Sequence, residues 1–272
     1  MIVFKLLRVI LHLLVGLSIC ALAFPRSDRA RRERHIRGWS ARLLRLCGVQ
    51  LEVRDAGGVA DTQAALVVAN HVSWLDVFVI NAVAPCRFVA KSDIRGWPLI
   101  GRLCQQAGTV FIARGRPRDV RRIYQGLVED LRSGERIAFF PEGTTASQGS
   151  LLPFHANLFE AAVDNAPVQP YALCYFDHAG RPHGAVDFVG ETTFAQSMIA
   201  ILKSGGVRAE LVRLPMLDST ATDRRQLALA AHAAIAAALA PADVAVADVQ
   251  DRAATQDDQQ GVDAPAAASA GG

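Results

Sequence analysis

Short apolar runs and longer amphipathic stretches alternate along the chain after residue 47. The runs predict strands at residues 49–53, 64–69, 88–90, 109–112, 137–140, 168–175, 185–189 and 207–214. Stretches with apolar residues every three or four positions predict helices at residues 117–133, 194–203 and 222–239, the last capped by Thr222. Strands that alternate with helices predict an α/β fold with a mostly parallel central sheet covered by helices.

The first 46 residues follow a different pattern. Residues 1–24 are almost wholly apolar apart from Lys5, Arg8 and His12, and the stretch after Arg8, Val9 to Phe24, has 16 residues, fewer than the roughly 20 of a comfortable bilayer span. A cleaved signal peptide would share the basic start and apolar middle. Eight arginines follow before residue 47, opposed only by Asp28 and Glu33, and such a cluster stays in the cytoplasm and attracts anionic headgroups. We therefore predict a membrane anchor with a basic amphipathic helix over residues 1–46, with lipid rather than nucleic acid as its partner.

The rest of the chain divides into a folded domain and a tail. Residues 47–240 contain all the predicted strands, whereas residues 241–272 carry six aspartates against Arg252 and have no aromatic residue, which predicts a disordered tail. The five cysteines are an odd number without any Cys-x-x-Cys pair. This cysteine usage argues against a disulfide framework or a zinc finger and indicates a reducing compartment.

The first candidate chemistry lies just after the predicted strand at residues 64–69. A helix is predicted to begin there with Ser73 as its cap and Asp76 closing a capping box. Because His71 precedes the cap and Asp76 lies in the first turn, the imidazole can fold back onto the carboxylate. The two side chains then form a general base held by an acid, which can take a proton from a hydroxyl. The spacing also allows an alternative, in which His71 is a hydrogen-bonded interior histidine and Asp76 a helix cap.

Other charged residues are predicted to lie beside this pair. His71, Arg114 and Glu142 each follow a predicted strand, and sites in parallel sheets gather at the carboxyl ends of the strands. Arg114 and Lys91 suit an anionic group such as a phosphate, or are solvated charges at strand ends. The sequence has no Gly-x-Ser-x-Gly elbow, P-loop or dinucleotide fingerprint, and its histidines lack metal-ligand spacing. A base without an evident protein nucleophile indicates direct attack by a substrate hydroxyl.

Four blocks of sequence form an ordered set: Asn-His-Val-Ser-Trp-Leu-Asp at 70–76, Gly-Thr-Val-Phe-Ile-Ala-Arg at 108–114, Phe-Pro-Glu-Gly-Thr at 140–144 and Ala-Pro-Val-Gln-Pro at 166–170. In order and spacing they resemble the blocks of the phospholipid/glycerol acyltransferases, and above all those of the bacterial 1-acyl-glycerol-3-phosphate acyltransferases. The likeness covers about residues 64–176. It implies that His71 is the general base and Asp76 its partner. The acceptor and phosphate site is implied to consist of Lys91, Gly108, Arg114, Glu142, Gly143 and Thr144.

The same resemblance implies the reaction. A fatty acyl group would pass from acyl-CoA or acyl carrier protein, as co-substrate, to the free hydroxyl of a lysolipid. The first expectation for that lysolipid is 1-acyl-sn-glycerol-3-phosphate, which would give phosphatidic acid. No metal or tightly bound cofactor is implied. The implied location is a bacterial inner membrane, with the catalytic domain on the cytoplasmic side.

Two positions depart from the family's pattern. Thr145 and Ala146 stand where the third block usually continues with Arg-Ser, whose arginine is thought to hold the acceptor phosphate, and His155-Ala156 replaces a Lys-Gly pair. The Glu-Gly-Thr-Thr sequence resembles the variant in lyso-ornithine lipid acyltransferases, so this lysolipid or another is the alternative acceptor. Two functions of other kinds stay open: a non-catalytic lipid-binding protein of the same fold, and a thioesterase in which His71 activates water.

Overall fold

A computed structural model describes residues 2–57, 64–97, 99–112 and 117–240, with the backbone alone for residues 117–122. Within these residues the strands are β1 (Val49–Asp55), β2 (Ala65–Ala69), β3 (Arg87–Lys91), β4 (Val110–Ile112), β5 (Arg136–Phe139), β6 (Val168–Phe176) and β7 (Val207–Arg213). The helices are α1 (Ile2–Ser18), α2 (Arg29–Leu46), α3 (Leu75–Val83), α4 (Ile100–Gln106), α5 (Pro117–Arg132), α6 (Phe194–Lys203) and α7 (Arg224–Leu239).

The strands form one sheet in the order β1-β7-β6-β2-β5-β3-β4. Strands β2 to β6 run parallel to one another, β7 pairs antiparallel with β6, and β1 is parallel to β7. The predicted α/β fold with a mostly parallel sheet is therefore confirmed. Because β1 and β7 are reversed, their amino ends lie at the same edge as the carboxyl ends of the other five strands. We call this the site edge.

Helices cover both faces of the sheet, as the side chains of β2 show. All five residues of β2 are buried. Val67 and Ala69 belong to one apolar cluster, which includes residues of α1, α2, α3 and α6. Leu66 and Val68 belong to the other, which includes residues of α5 and α7. Since alternate side chains of a strand point to opposite faces, a run without polar positions is what a doubly covered central strand requires.

Three local predictions are wrong. Residues 185–189 form no strand: Gly184–Val186 is a 3₁₀ turn that buries Val186, and the Phe188 N–H donates to the carbonyl of Val72 instead of pairing with a strand. Helix α7 is capped by Asp223, whose carboxylate accepts the N–H groups of Arg225 and Gln226, and not by Thr222.

The predicted cap of α3 is the third. Helix α3 begins at Leu75, and the Ser73 hydroxyl is buried without a hydrogen-bond partner in the described part of the chain. The backbone N–H of Ser73 donates instead to the carboxylate of Asp76 at 2.9 Å. Of the two hydrogen bonds of a capping box, only the one from the Ser73 N–H to the Asp76 side chain is therefore formed.

The N-terminal helices belong to the same compact unit as the sheet. Val9 and Leu13 of α1 are buried in the same apolar cluster as Val67 and Ala69 of β2. Trp39 of α2 packs on the backbone of Gly16, where a Cβ atom would lie 2.7 Å from the indole nitrogen. Among the described residues, Ile2–Arg26 is the helical stretch long and apolar enough to cross a bilayer by length and composition.

The domain boundaries at residues 46 and 240 stay predictions. No break separates α2 from the sheet domain within the unit that ends at Ala238. The second unit begins at Leu239, and the predicted tail, residues 241–272, lies outside the described residues.

Candidate active site

The loop after β2 brings His71 and Asp76 together. The Nδ1 atom of His71 lies 2.8 Å from Oδ2 of Asp76. The carboxylate is fully buried, whereas 19% of the His71 side chain is exposed. The predicted folding of the imidazole back onto the carboxylate is thus confirmed. Since a carboxylate oxygen can only accept a hydrogen bond, Nδ1 of His71 carries the proton and donates it to Asp76. Nε2 is then left as the acceptor.

Asp76 is held by three more donors. Its Oδ2 atom accepts the N–H groups of Val72 at 2.8 Å and Ser73 at 2.9 Å. Its Oδ1 atom accepts the hydroxyl of Tyr175, which comes from the carboxyl end of β6 and is fully buried. Burial, and then the negative charge of Asp76, raise the pKa of Tyr175 well above 10, so the phenol stays a donor. Four donors fix the carboxylate in one orientation.

Tyr175 was not a sequence-predicted site residue. It lies outside the four blocks, and its partner Asp76 is 99 positions away in the chain. A signal was nevertheless present, because the predicted strand at residues 168–175 ends at this tyrosine and strands of a parallel sheet end at a common edge.

The backbone of His71 is fixed by residues from the segment after β5. Glu142 is buried, with Oε1 accepting the His71 N–H at 2.7 Å and Oε2 accepting the Leu152 N–H at 2.9 Å. The Ala146 N–H donates to the His71 carbonyl at 2.8 Å. Burial raises the pKa of Glu142, while the hydrogen bonds from the N–H groups of Leu152 and His71 lower it. Glu142 therefore joins the loop after β2 to the loop after β5.

The imidazole is also fixed through its face and its neighbour in sequence. The ring of Phe140 stacks on that of His71, with centroids 3.8 Å apart and planes 6° from parallel. The amide of Asn70 accepts the Leu173 N–H at 2.8 Å and donates to the Leu173 carbonyl at 2.9 Å, which ties the end of β2 to β6. Nε2 of His71 has no hydrogen-bond partner within the described residues. The ring is therefore held with one nitrogen available to a ligand.

The other predicted site residues divide into three groups. Lys91, at the carboxyl end of β3, and Gly143 and Thr144, in the turn after Glu142, lie at the site edge and are exposed. The φ angle of Gly143 is +70°, and a Cβ atom there would lie 3.3 Å from the imidazole of His155, so the turn requires glycine.

Gly108 forms the second group, because the structure does not bring it to the site edge. It precedes β4 and so lies at the amino ends of the parallel strands, where its carbonyl accepts the Nε–H of Arg87 at 3.2 Å. Arg114, the third, lies outside the described residues. The binding roles of all these residues remain predictions.

Thr145 is already engaged inside the protein. Its hydroxyl donates to the backbone carbonyl of Phe188, in the segment between β6 and α6. The position where the acyltransferase blocks usually carry an arginine therefore supplies a short side chain that ties two loops together, and no positive charge.

Comparisons with known proteins identify the family of the chain and agree with its fold. The sequence model of the family described as Acyltransferase matches residues 50–174. A lyso-ornithine lipid O-acyltransferase from Pseudomonas aeruginosa is 38% identical over 209 residues, which are 76% of this chain and 79% of that protein. A 1-acyl-sn-glycerol-3-phosphate acyltransferase from Neisseria gonorrhoeae is 49% identical over 117 residues, 43% of this chain and 46% of that protein.

The fold has a solved counterpart. The crystal structure of the 1-acyl-sn-glycerophosphate (LPA) acyltransferase PlsC from Thermotoga maritima matches with a TM-score of 0.59, covering 88% of this chain and 96% of that one at 20% identity. This match shows that the mostly parallel sheet and the helices that cover it form an α/β fold of known architecture. The chain belongs to the acyltransferase family.

Proposed function

We propose that this acyltransferase moves a fatty acyl group from a thioester donor, acyl-CoA or acyl carrier protein, to the free hydroxyl of a lysolipid. The observation that carries the proposal is the His71–Asp76 contact, with the carboxylate buried and Nε2 free among the described residues. A second imidazole, that of His155 beside Gly143, is also exposed at the site edge, but only that of His71 has a carboxylate partner among the described residues.

The geometry supports a direct transfer. Nε2 of His71 takes the proton of the lysolipid hydroxyl as its oxygen attacks the thioester carbonyl, and Asp76 stabilises the imidazolium that forms. The tetrahedral intermediate then collapses, the carbon–sulfur bond breaks, and the imidazolium returns its proton to the leaving thiolate. The products are an ester and a free thiol. The protein supplies the base and needs no metal, cofactor or covalent intermediate for this sequence.

The first acceptor we propose is 1-acyl-sn-glycerol-3-phosphate. The Neisseria protein named for that substrate has the higher identity of the two relatives described, over a matching segment of 117 residues. A specific observation favours a second acceptor, lyso-ornithine lipid. Thr145 provides no positive charge for a phosphate, and its hydroxyl donates to the backbone carbonyl of Phe188. In addition, the Pseudomonas protein named for lyso-ornithine lipid matches over most of its length.

We further propose that the enzyme works at the cytoplasmic side of a bacterial inner membrane. The apolar stretch Ile2–Arg26 supports contact with the bilayer, and the arginines of α2 support a location beside anionic headgroups. Its partners would then be membrane lipids and a soluble acyl donor.

An acceptor panel tests the proposed reaction. Purified full-length protein, given labelled acyl-CoA or acyl carrier protein, should acylate lysophosphatidate faster than lyso-ornithine lipid. Exclusive turnover of lyso-ornithine lipid would replace the acceptor and keep the class of reaction. Fatty acid released at full rate without any acceptor would establish a thioesterase, and lysolipid binding without any acyl transfer would establish a non-catalytic protein.

Thr145→Arg is expected to separate the two acceptors. A guanidinium that bonds a phosphate contributes about 1.5–3 kcal/mol, so kcat/KM for lysophosphatidate should rise by roughly tenfold or more while that for lyso-ornithine lipid does not rise. Thr145→Val is the matched control, because it removes the hydroxyl bond to Phe188 without adding charge. An equal change of kcat/KM for both acceptors in Thr145→Arg would contradict the proposed role of this position.

Tyr175→Phe should lower kcat about tenfold and leave both KM values within about threefold, since it removes one of four donors from Asp76 and touches no substrate. Tyr124→Phe is a matched control. The Tyr124 hydroxyl is also buried, but it has no hydrogen-bond partner in the described part of the chain. Steady-state kinetics and thermal unfolding of both variants check the expectation, and equal kcat values in the two would refute it.

A further inference from the structure

A groove of about 530 Å³ runs between α1 and α2, formed by other residues than the His71–Asp76 site. Three arginines line it: Arg8 from α1, and Arg34 and Arg42 from α2. Leu11 and Val15 of α1 also line it. The groove therefore combines a cationic rim with an apolar wall.

The three arginines are exposed and lack acidic partners among the described residues. Arg29 of the same helix is, by contrast, paired with acidic residues. Arg29 lies 2.9 Å from Glu33 and 3.5 Å from Glu135, and Glu33 also faces Arg136. Glu33 and Glu135 thus pair with arginines outside the groove, and the positive charge of the groove is left for a ligand.

His12 and Trp39 hold the two helices of the groove together, and Gly38 leaves space between them. The rings of His12 and Trp39 stack at 4.8 Å, and each side chain bonds the backbone carbonyl of the other residue at 3.0 Å, which locks α1 to α2. Between Arg34 and Arg42, Gly38 has no atom within 4 Å of the position that a Cβ would take. The absent side chain leaves room at the centre of the arginine row.

The apolar wall continues onto an exposed surface. Leu11 and Val15 are 60% and 45% exposed, and they belong both to the groove and to the apolar outer face of α1. That face consists of Val3, Phe4, Leu7, Ile10, Leu11, Leu14 and Val15, all exposed. A ligand that fits both surfaces must have an anionic group joined to a long apolar one.

We propose that this groove binds one anionic phospholipid, with its phosphate among Arg8, Arg34 and Arg42 and its acyl chains along the outer face of α1. Guanidinium groups suit phosphate oxygens in number and geometry, and a partly enclosed site binds them more strongly than an open basic surface does. This is a second lipid site, separate from the acceptor site, and it places a particular lipid against the anchor rather than a diffuse charge.

The test uses full-length protein in neutral detergent micelles, with phosphatidylglycerol that carries brominated acyl chains as the probe. Bromine quenches tryptophan fluorescence, and Trp39 lines the groove. We expect saturable quenching by the phosphatidylglycerol and little by brominated phosphatidylcholine, and Trp39→Phe should remove most of it. Since acyl transfer plays no part in the readout, the result is independent of the proposed function.

Two charge-matched variants decide whether a site exists. Arg34→Gln with Arg42→Gln should weaken binding roughly 100-fold or more, because a guanidinium that bonds a phosphate contributes at least about 1.5 kcal/mol. Arg37→Gln with Arg45→Gln removes the same charge from the same helix outside the groove, and should change binding less than about threefold. Equal weakening in both pairs would overturn the proposal in favour of diffuse attraction.

Gly38→Leu provides a variant that keeps every charge. The side chain would enter open space in the middle of the groove, so the helix should fold and binding should fall as far as in the Arg34 and Arg42 pair. Unchanged affinity in Gly38→Leu, or equal quenching by both brominated lipids in wild-type protein, would also overturn the proposal.

Discussion

His71→Ala is expected to lower the rate of acyl transfer by about three orders of magnitude, with little effect on folding. General-base catalysis contributes roughly 10²–10⁴-fold, and the expected loss lies in the middle of that range because the base removed is the imidazole that Asp76 orients. The side chain is partly exposed, so its removal leaves a solvated gap rather than a buried cavity. Single-turnover kinetics with labelled acyl donor, together with circular dichroism, would measure both effects.

His178→Ala is the control for this substitution. His178 is exposed on the loop after β6, and the Nε2 atom of its imidazole lies 3.2 Å from the Gly205 carbonyl, so its loss should change the rate less than twofold. If His71→Ala turned over at the rate of His178→Ala, the proposed mechanism would have to be abandoned, although the family assignment would not.

Asp76→Asn should reduce kcat by roughly 10³-fold. An asparagine can keep the three N–H bonds to its oxygen and donate to Tyr175, so the loop after β2 should keep its conformation. What it loses is the negative charge beside His71. The imidazolium formed in the transition state then stands in a buried setting without a counter-charge, which is costly at low dielectric.

The fold of Asp76→Asn must be checked separately from its rate. Replacing a buried carboxylate that accepts four bonds should lower the free energy of unfolding by about 1–3 kcal/mol, and thermal unfolding would show this. Asp177→Asn is the comparison, because Asp177 forms an exposed pair with Arg181 and such pairs contribute little. Should Asp76→Asn retain a tenth of the wild-type rate, the carboxylate would be a structural cap only.

Much of this architecture is encoded locally and could be predicted. The runs at residues 64–69 and 137–140 are apolar without alternation because both faces of a central strand are covered, and the structure places β2 and β5 side by side. The same logic brought His71 and Glu142 to one edge, since both follow parallel strands. The His71–Asp76 contact was predictable because five intervening backbone links and a helix start restrict it.

The rest depends on tertiary contacts that no local pattern carries. Asp223 and Thr222 are adjacent and both are good caps, so the residue types alone do not decide which one caps α7. The residues 185–189 have strand composition, but the backbone of Phe188 bonds no neighbouring strand. Its N–H donates to the carbonyl of Val72, and its carbonyl accepts the hydroxyl of Thr145. Tyr175 reaches Asp76 only once β6 lies beside β2.

The reversal of β1 and β7 has a consequence for where chemistry takes place. Helix α2 ends at Leu46 and β1 begins at Val49, so the chain leaves the arginine-rich helix and enters the sheet at the edge that carries His71. Had those two strands run with the others, the helices would join the far edge, and a lipid would need to leave its layer to be modified. Under the proposed function, a single-chain lipid could therefore keep its tail in the bilayer beside these helices while its alcohol reaches His71.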